Sequence, residues 1–210
     1  NGIIENFRAL RAELASHGIA HETETDTETV ALLAHHFMQQ GMGPVEAARA
    51  TIARLEGAYA LCFLFEGEAD LLVAARRGSP LAVGHGDGEM FVGSDAIALA
   101  PMTDRITYLE EGDIAVITRN SLVITDVNGH LANRPIKTIE IEAARVDKAG
   151  HRHFMAKEIA EQPSVIGAAL GHYLSSDGTC LTLPEGVPDF AKVERLTLVA
   201  CGTAYYACLT

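Results

Sequence analysis

The stretch from residue 57 to residue 84, GAYALCFLFEGEADLLVAARRGSPLAVG, decides the fold class. Two apolar runs, AYALCFLF (58–65) and LLVAA (71–75), are separated by turns that contain glycine. Runs of this length between turn residues are typical of strands. Their connections are far too short for parallel crossovers, so we expect antiparallel hairpins. The longer run is also well below the ~20 apolar residues of a membrane-spanning helix.

Three helices are predicted ahead of this stretch. The first covers residues 4–16, because apolar residues recur there on one helical face, at Ile4, Phe7, Leu10 and Leu14. The second begins at the cluster TDTE (25–28), where Thr25 and Glu28 have the spacing of a capping box, and it ends at Gly41. The third covers about 43–55.

Further strands are predicted after the stretch, in ITYLEEGDIAVITRNSLVITDVNGH (106–130), with turns at its glycines and asparagines. Helices followed by hairpins predict an α+β layered domain over residues 1–137. Residues 138–153 lack a clean period and are interpreted as an extended linker. Residues 154–172 are predicted to be helical with an interruption at Pro163. The segment VERLTLVACGTAYYACL (193–209) is interpreted as a strand, a turn and the start of a helix, which opens a second, α/β domain over 154–210.

Composition excludes several classes of function. The 210 residues carry a net charge of −12, which argues against nucleic-acid binding because that needs a basic surface. The four cysteines (62, 180, 201 and 208) lack CxxC spacing, so we expect reduced thiols in a cytoplasmic protein. The adjacent His35 and His36 point about 100° apart on a helix with ~3.6 residues per turn, which suits a shared metal poorly. We expect no metal, no cofactor and no membrane association.

Two short segments could carry chemistry. In CGTAYYA (201–207) a glycine, a hydroxyl and a helix N-terminus could hold an anion, although an ordinary strand-to-helix turn has the same residues. Asp26 near a helix start could hold a ligand's ammonium group. An aspartate at this position can also serve only to cap the helix or to interact with its dipole, with no ligand bound.

Eight segments in order carry a resemblance to a known family. They are NGIIEN (1–6), ETDTE (24–28), LEGAYAL (55–61), AARRGSPLAVG (74–84), GSDAIAL (93–99), LEEGDIAVI (109–117), HRHFMAKEIAEQP (151–163) and LVACGTAYYA (198–207). In this succession they resemble the glutamine–fructose-6-phosphate aminotransferase family, also called glucosamine-6-phosphate synthase, over essentially the whole chain.

The resemblance implies a fold and a reaction. It implies part of an N-terminal-nucleophile glutaminase domain, layered αββα, then the linker and the first βα unit of a sugar isomerase (SIS-type) domain. Such an enzyme hydrolyses glutamine and passes the ammonia to fructose 6-phosphate, which becomes glucosamine 6-phosphate. Position by position, the resemblance assigns Asn1 and Gly2 to the oxyanion hole and Asp26 to the glutamine ammonium. It assigns Gly202, Thr203 and Ala204 to the sugar phosphate, with Ala204 standing where many members have serine.

The resemblance also implies what this chain does not contain. The family's nucleophile is a cysteine at the mature N-terminus, whose α-amine is the base. Since Asn1 cannot replace it, we expect this chain to be a fragment of a longer protein and to be inactive alone. The intact enzyme is expected to form a homodimer through its isomerase domain. Two alternatives stay open: the glutaminase domain of an amidophosphoribosyltransferase-like enzyme, and a non-catalytic module that senses sugar phosphates.

Overall fold

The computed structural model describes residues 2–139, 148–175, 179–183, 186–200 and 202–209. By compactness the chain divides into a first unit, Asn1–Asp147, and a second unit, Lys148–Thr210. Residue 138, assigned above to a linker, is the last residue of a strand in the first unit. The domain boundaries drawn from the sequence stay a prediction.

The first unit contains the three predicted helices. They are α1 (Phe7–Ser16), α2 (Asp26–Gln39) and α3 (Pro44–Arg54). The prediction that the first helix starts at residue 4 is wrong, because Gly2–Ile4 form strand β1, which pairs with residues 57–59. Asn6 separates strand from helix: its side-chain amide donates to the Arg54 carbonyl oxygen, and its carbonyl oxygen accepts from the Glu56 amide.

Two sheets make up the rest of the first unit, and every strand pairing in them is antiparallel, as the hairpin pattern predicted. The strands after β1 are β2 (Gly57–Leu64), β3 (Leu72–Arg77), β4 (Ala82–His85), β5 (Met90–Gly93), β6 (Arg105–Tyr108), β7 (Ile114–Ile117), β8 (Leu122–Thr125) and β9 (Ile136–Thr138). The first sheet has the order β1-β2-β3-β7-β8, and the second has the order β5-β4-β6-β9.

Alternation along the strands stacks helices and sheets into layers. On β2, Leu61 and Phe63 pack in one core with α1, α2 and α3, while Ala60 packs in another with residues of the second sheet. The far face of the second sheet packs against Leu99 of the short helix α4 (Ala96–Leu99). The order is therefore helix, sheet, sheet, helix. Burial of each large apolar side chain stabilises these layers by about 1.5–3 kcal/mol.

The second unit contains α5 (Phe154–Tyr173), a 3₁₀ turn at Phe190–Lys192, and α6 (Gly202–Cys208). The predicted interruption at Pro163 is wrong, because α5 runs through it. Its surface is exposed around the proline, so solvent can satisfy the carbonyl that loses its amide partner. The strand predicted from residue 193 is also absent: residues 193–200, all described, form no strand, and Val199 is 90% exposed. A strand is stable only when it pairs with neighbouring strands, and the described part of the second unit contains no strand.

No helix in the described ranges is long and apolar enough to cross a membrane.

Candidate functional site

The free edge of β1 meets the N-terminus of α2. Asp26 is the first residue of α2, and its Oδ2 accepts a hydrogen bond of 2.8 Å from the backbone amide of Ile4. The other carboxylate oxygen, Oδ1, has one described contact, a long one of 3.4 Å from the hydroxyl of Thr27. The carboxylate therefore ties strand to helix through one oxygen and keeps accepting capacity on the other.

Gly2 lies on the same strand, two residues before Ile4. Gly2 pairs with Tyr59, and Ile4 pairs with Gly57. At ~3.3 Å per residue, Gly2 and Ile4 are roughly 7 Å apart along the strand. Gly2 is therefore a short distance along β1 from the residue that contacts Asp26.

The backbone of β1 requires glycine at Gly2. Its φ is +113°, and a Cβ there would lie 2.0 Å from the carbonyl oxygen of Ala58 and 2.7 Å from the Cα of Tyr59. A real Cβ does not approach backbone atoms so closely, and a positive φ costs an L-residue about 1–2 kcal/mol. The glycine therefore allows β1 to lie against β2.

The loop before Asp26 is held by Glu28. Its Oε1 accepts from the amide of Glu22 at 2.7 Å, and its Oε2 accepts from the amide and the hydroxyl of Thr23 at 2.8 and 2.6 Å. These hydrogen bonds, from the Glu22 amide first, lower the pKa of Glu28 to about 2. The carboxylate is therefore fully charged at neutral pH.

The predicted capping box of Thr25 and Glu28 is wrong. Thr25 is the N-cap of α2, but its side chain makes no capping hydrogen bond, and its hydroxyl lies 2.8 Å from the hydroxyl of Thr23. Glu28 reaches past Thr25 to residues 22 and 23. From the other side, Arg11 Nη2 donates to the carbonyl oxygens of Thr23 and Thr25 at 3.0 and 2.9 Å. Arg11 and Glu28 were both missed from the sequence, because no local spacing indicates these partners.

The other proposed site residues are placed as follows. Asn1 lies outside the described residues, as does the side chain of Thr203. Gly202 is the first residue of α6, with φ +60°, and Ala204 is exposed in the same helix. The structure thus places Gly2 on the strand that contacts Asp26, in the first unit, and it places Gly202 and Ala204 in the second unit.

Cys62, the cysteine of the first unit, does not form an activated thiolate near Gly2. Cys62 lies three residues along β2 from Tyr59, the partner of Gly2, which is roughly 10 Å at the rise of a strand. It lines a cavity of about 630 Å³ with Val30 and Phe63, and although its side chain reaches solvent, desolvation by these neighbours raises the pKa of its thiol. A nucleophilic cysteine needs a lowered pKa instead.

Within the part of the chain that the structure describes, no group of histidine, cysteine and carboxylate side chains could hold a metal ion.

Two comparisons with known proteins concern the first unit. Residues 1–101 match the family described as glutamine amidotransferase domain. A solved structure, the glutamine phosphoribosylpyrophosphate amidotransferase from B. subtilis complexed with ADP and GMP, matches with a TM-score of 0.52 at 23% identity. The match covers 62% of this chain and 29% of that chain, and at this identity it shows the fold alone. The first unit therefore has the mixed α/β fold of a glutamine amidotransferase.

Curated relatives extend the comparison to nearly the whole chain. Proteins named glutamine–fructose-6-phosphate aminotransferase [isomerizing] are 55% identical over 208 residues in Brucella abortus, 54% over 210 in Mesorhizobium japonicum and 52% over 208 in Bradyrhizobium diazoefficiens. Each match covers 99% of this chain, which spans about a third, 34%, of each relative's length. The resemblance drawn from the sequence is confirmed.

Proposed function

Because this chain is homologous over 99% of its length to glutamine–fructose-6-phosphate aminotransferases, we propose that it is the central part of such an enzyme. The intact enzyme transfers the amide nitrogen of glutamine to fructose 6-phosphate and forms glucosamine 6-phosphate and glutamate. The observation that supports this proposal is that Gly2 lies on β1, the strand whose Ile4 amide donates to Asp26.

The spacing along β1 suits glutamine. Four bonds of about 1.5 Å, or about 5 Å in a zigzag, separate the α-nitrogen of glutamine from its side-chain carbonyl carbon. Gly2 and Ile4 are roughly 7 Å apart along β1, and the Ile4 amide is hydrogen-bonded to Asp26. A glutamine lying along this strand can therefore place its ammonium at Asp26 and its side-chain carbonyl near Gly2.

Each residue then has a defined chemical part. Attack on the side-chain amide of glutamine puts negative charge on its oxygen, and the Gly2 amide, with the side-chain amide of Asn1, donates hydrogen bonds to that oxyanion. A donor of this kind contributes about 2.7–4 kcal/mol to the rate. Asp26 pairs with the α-ammonium and orients the substrate. The cysteine nucleophile implied by the resemblance is not assigned to any cysteine of this chain.

The second unit is proposed to begin the sugar isomerase (SIS-type) domain. The relatives match through this unit as well, and their name includes the word isomerizing. Gly202, Thr203 and the Ala204 amide would then help to hold the phosphate of fructose 6-phosphate. We further propose that the intact enzyme is cytoplasmic and forms a homodimer through this domain.

Two other functions have less support. An amidophosphoribosyltransferase shares the fold of the first unit, but the relatives at 52–55% identity carry the aminotransferase name. A module that only senses sugar phosphates would have no use for the glutamine amidotransferase domain matched at residues 1–101.

Replacement of Asp26 by asparagine tests the proposal in a protein of the relatives' length that carries this chain. Asparagine caps a helix about as well as aspartate, and its side-chain oxygen can still accept from Ile4. Only the charge toward the ammonium is lost. Loss of a charge-assisted hydrogen bond costs about 1.5–3 kcal/mol, so kcat/KM for glutamine should fall about 10- to 150-fold.

The matched control is Asp87→Asn, which removes the same charge from an exposed turn between β4 and β5. Glutamate and glucosamine 6-phosphate are measured for both variants. An unchanged kcat/KM in the Asp26 variant would leave this aspartate with a structural role only. A wild-type protein that forms no glucosamine 6-phosphate from the two substrates would overturn the proposed function itself.

A further inference from the structure

The loop at residues 22–25 has no regular secondary structure, yet its backbone is held from two sides. On one side the Glu28 carboxylate accepts three hydrogen bonds of 2.6–2.8 Å, from the two backbone amides of Glu22 and Thr23 and from the Thr23 hydroxyl. Short hydrogen bonds to an ionised carboxylate are about twice as strong as neutral ones. The loop amides are therefore fixed by a charged side chain one turn into α2.

On the other side Arg11 holds the carbonyl groups of the same loop. One nitrogen, Nη2, donates to the carbonyl oxygens of Thr23 and Thr25. The guanidinium carbon lies 5.4 Å from the centre of the Phe7 ring, which keeps the side chain against α1. The loop is thus tied to α1 through its carbonyls and to α2 through its amides.

Asp26 follows this loop directly. The last loop residue, Thr25, offers no side-chain cap to α2, so the path of the chain into the helix depends on Glu28 and Arg11. A shift of the loop would move the Asp26 carboxylate along the edge of β1. Displacement of a substrate-orienting group by about 1 Å can cost about 100-fold in rate.

We propose that Glu28 and Arg11 are positioning residues that hold Asp26 in register with β1 and thereby set the selectivity of the site for the α-ammonium of glutamine. This inference rests on the proposed function, and it adds two residues that do not touch the substrate. Glu28 acts through the amides of residues 22 and 23, and Arg11 acts through the carbonyls of residues 23 and 25.

Glu28→Gln is the main test, in the protein of the relatives' length. An amide side chain has one accepting oxygen where the carboxylate has two, so it cannot hold both loop amides and the Thr23 hydroxyl as the carboxylate does. The matched control is Glu24→Gln, which removes the same charge from the same exposed loop and for which no hydrogen bond is described.

The measured quantity is a ratio of two substrates. Glutamate release from glutamine is compared with glutarate release from glutaramate, which is glutamine without its α-amino group. We expect the wild type to prefer glutamine, and we expect Glu28→Gln to lower the ratio of the two kcat/KM values at least tenfold. The loss should appear in KM for glutamine, because the ammonium contact is made in the ground state and the transition state alike. Glu24→Gln should keep the wild-type ratio.

A merely structural role would give a different result. If Glu28 only stabilises the fold, both substrates lose kcat by the same factor and the ratio stays at the wild-type value, which would overturn the inference. If Glu28→Gln does not fold, Thr23→Val removes the hydroxyl contact to Glu28, together with the contacts of that hydroxyl to Thr25, and leaves both loop amides on Glu28. It should lower the same ratio by a smaller factor. Arg11→Lys keeps a positive charge, and its ammonium group can donate to the loop carbonyls. Its ratio of kcat/KM values should therefore stay closer to the wild-type ratio than that of Arg11→Met.

The failure of the proposed function looks different from the failure of this inference. A wild-type protein that does not hydrolyse glutamine overturns both. A wild type that hydrolyses glutamine, with a ratio insensitive to Glu28→Gln and to Thr23→Val, overturns only the positioning roles.

Discussion

Replacement of Gly2 by alanine should abolish most glutamine hydrolysis, with a larger effect on kcat than on KM for glutamine. The added Cβ would lie 2.0 Å from the carbonyl oxygen of Ala58. An ordinary carbon-to-oxygen contact is about 3.3 Å or more, so β1 must move by roughly 1 Å. Because Ala58 and Tyr59 meet the new atom with backbone, no side chain can give way. In the proposed oxyanion role, this shift moves the Gly2 amide away from the developing negative charge.

The magnitude follows from the loss of that donor. Removal of one oxyanion donor costs about 2.7–4 kcal/mol, so kcat should fall about 100- to 1000-fold. The fall in kcat should exceed any rise in KM for glutamine, because the oxyanion exists only in the transition state, whereas the shift of β1 acts on Asp26 only through Ile4. The assay is glutamate release from glutamine under saturating conditions, in the protein of the relatives' length. Sugar isomerisation in the same preparation reports whether the rest of the enzyme is intact.

The control for backbone strain is Gly41→Ala. Gly41 also has a positive φ, +95°, but a Cβ there would meet nothing within 4 Å. This variant carries the conformational cost of a positive φ, about 1–2 kcal/mol, without the clash. If Gly2→Ala keeps a kcat within about fivefold of Gly41→Ala while both are folded, an oxyanion role worth at least 100-fold is refuted.

Three further predictions concern other parts of the chain. His85 is buried, and its Nε2 lies 2.8 Å from the hydroxyl of Thr107. Burial, with the nearby Arg105, lowers the pKa of His85 below 6.5, so as pH falls the unfolded chain takes up the proton before the folded chain does. The free energy of unfolding should therefore fall as pH drops below about 6.5. Urea unfolding at several pH values should show that the free energy of unfolding depends less on pH in His85→Gln than in the wild type. An equal dependence on pH in the two proteins would contradict this role of His85. Thr203→Val removes a hydroxyl from the proposed phosphate loop and should weaken fructose 6-phosphate binding by about 1 kcal/mol. Ammonia-independent isomerisation of the sugar measures this affinity, and an unchanged value would show that the hydroxyl does not contribute to binding. The 210-residue chain made alone should release no glutamate above a buffer blank, because the cysteine nucleophile that the resemblance implies is assigned to none of its four cysteines. Turnover that survives replacement of all four cysteines would contradict this mechanism.

Local patterns predicted most of the first unit, and distant contacts account for what they missed. The residues that start α2 and the glycine that follows it lie next to the helix in sequence, so the prediction fell close to Asp26–Gln39. Strand β1 exists because Gly2–Ile4 pair with Gly57–Tyr59, more than fifty residues further along the chain. The apolar spacing of residues 4–14 fits a helix equally well, so local spacing could not reveal the strand.

The same distinction holds within the candidate site. Asp26 was found from its place before an apolar run and from the resemblance, whereas Arg11 acts on the loop from another helix. Glu28 was taken for half of a capping box, because the sequence gives its spacing to Thr25 and not the path of the loop. The prediction of a strand from residue 193 was wrong because an apolar segment becomes a strand only beside other strands, which the local pattern does not report.

The geometry of Asp26 differs from that of an aspartate that caps its own helix. A capping aspartate stands at the N-cap, and its carboxylate accepts from the first amides of that helix. Asp26 instead stands one residue inside α2, after the N-cap Thr25, and its Oδ2 accepts from Ile4 in another element. Its Oδ1 has one described contact, of 3.4 Å, from the Thr27 hydroxyl. Side-chain capping therefore does not account for this carboxylate, whereas an interaction with the dipole of α2 and the binding of an ammonium group both fit its position. Asp26→Asn keeps an oxygen that can accept from Ile4 and removes the charge, which is why its effect on glutamine, and not on stability, decides between the two interpretations.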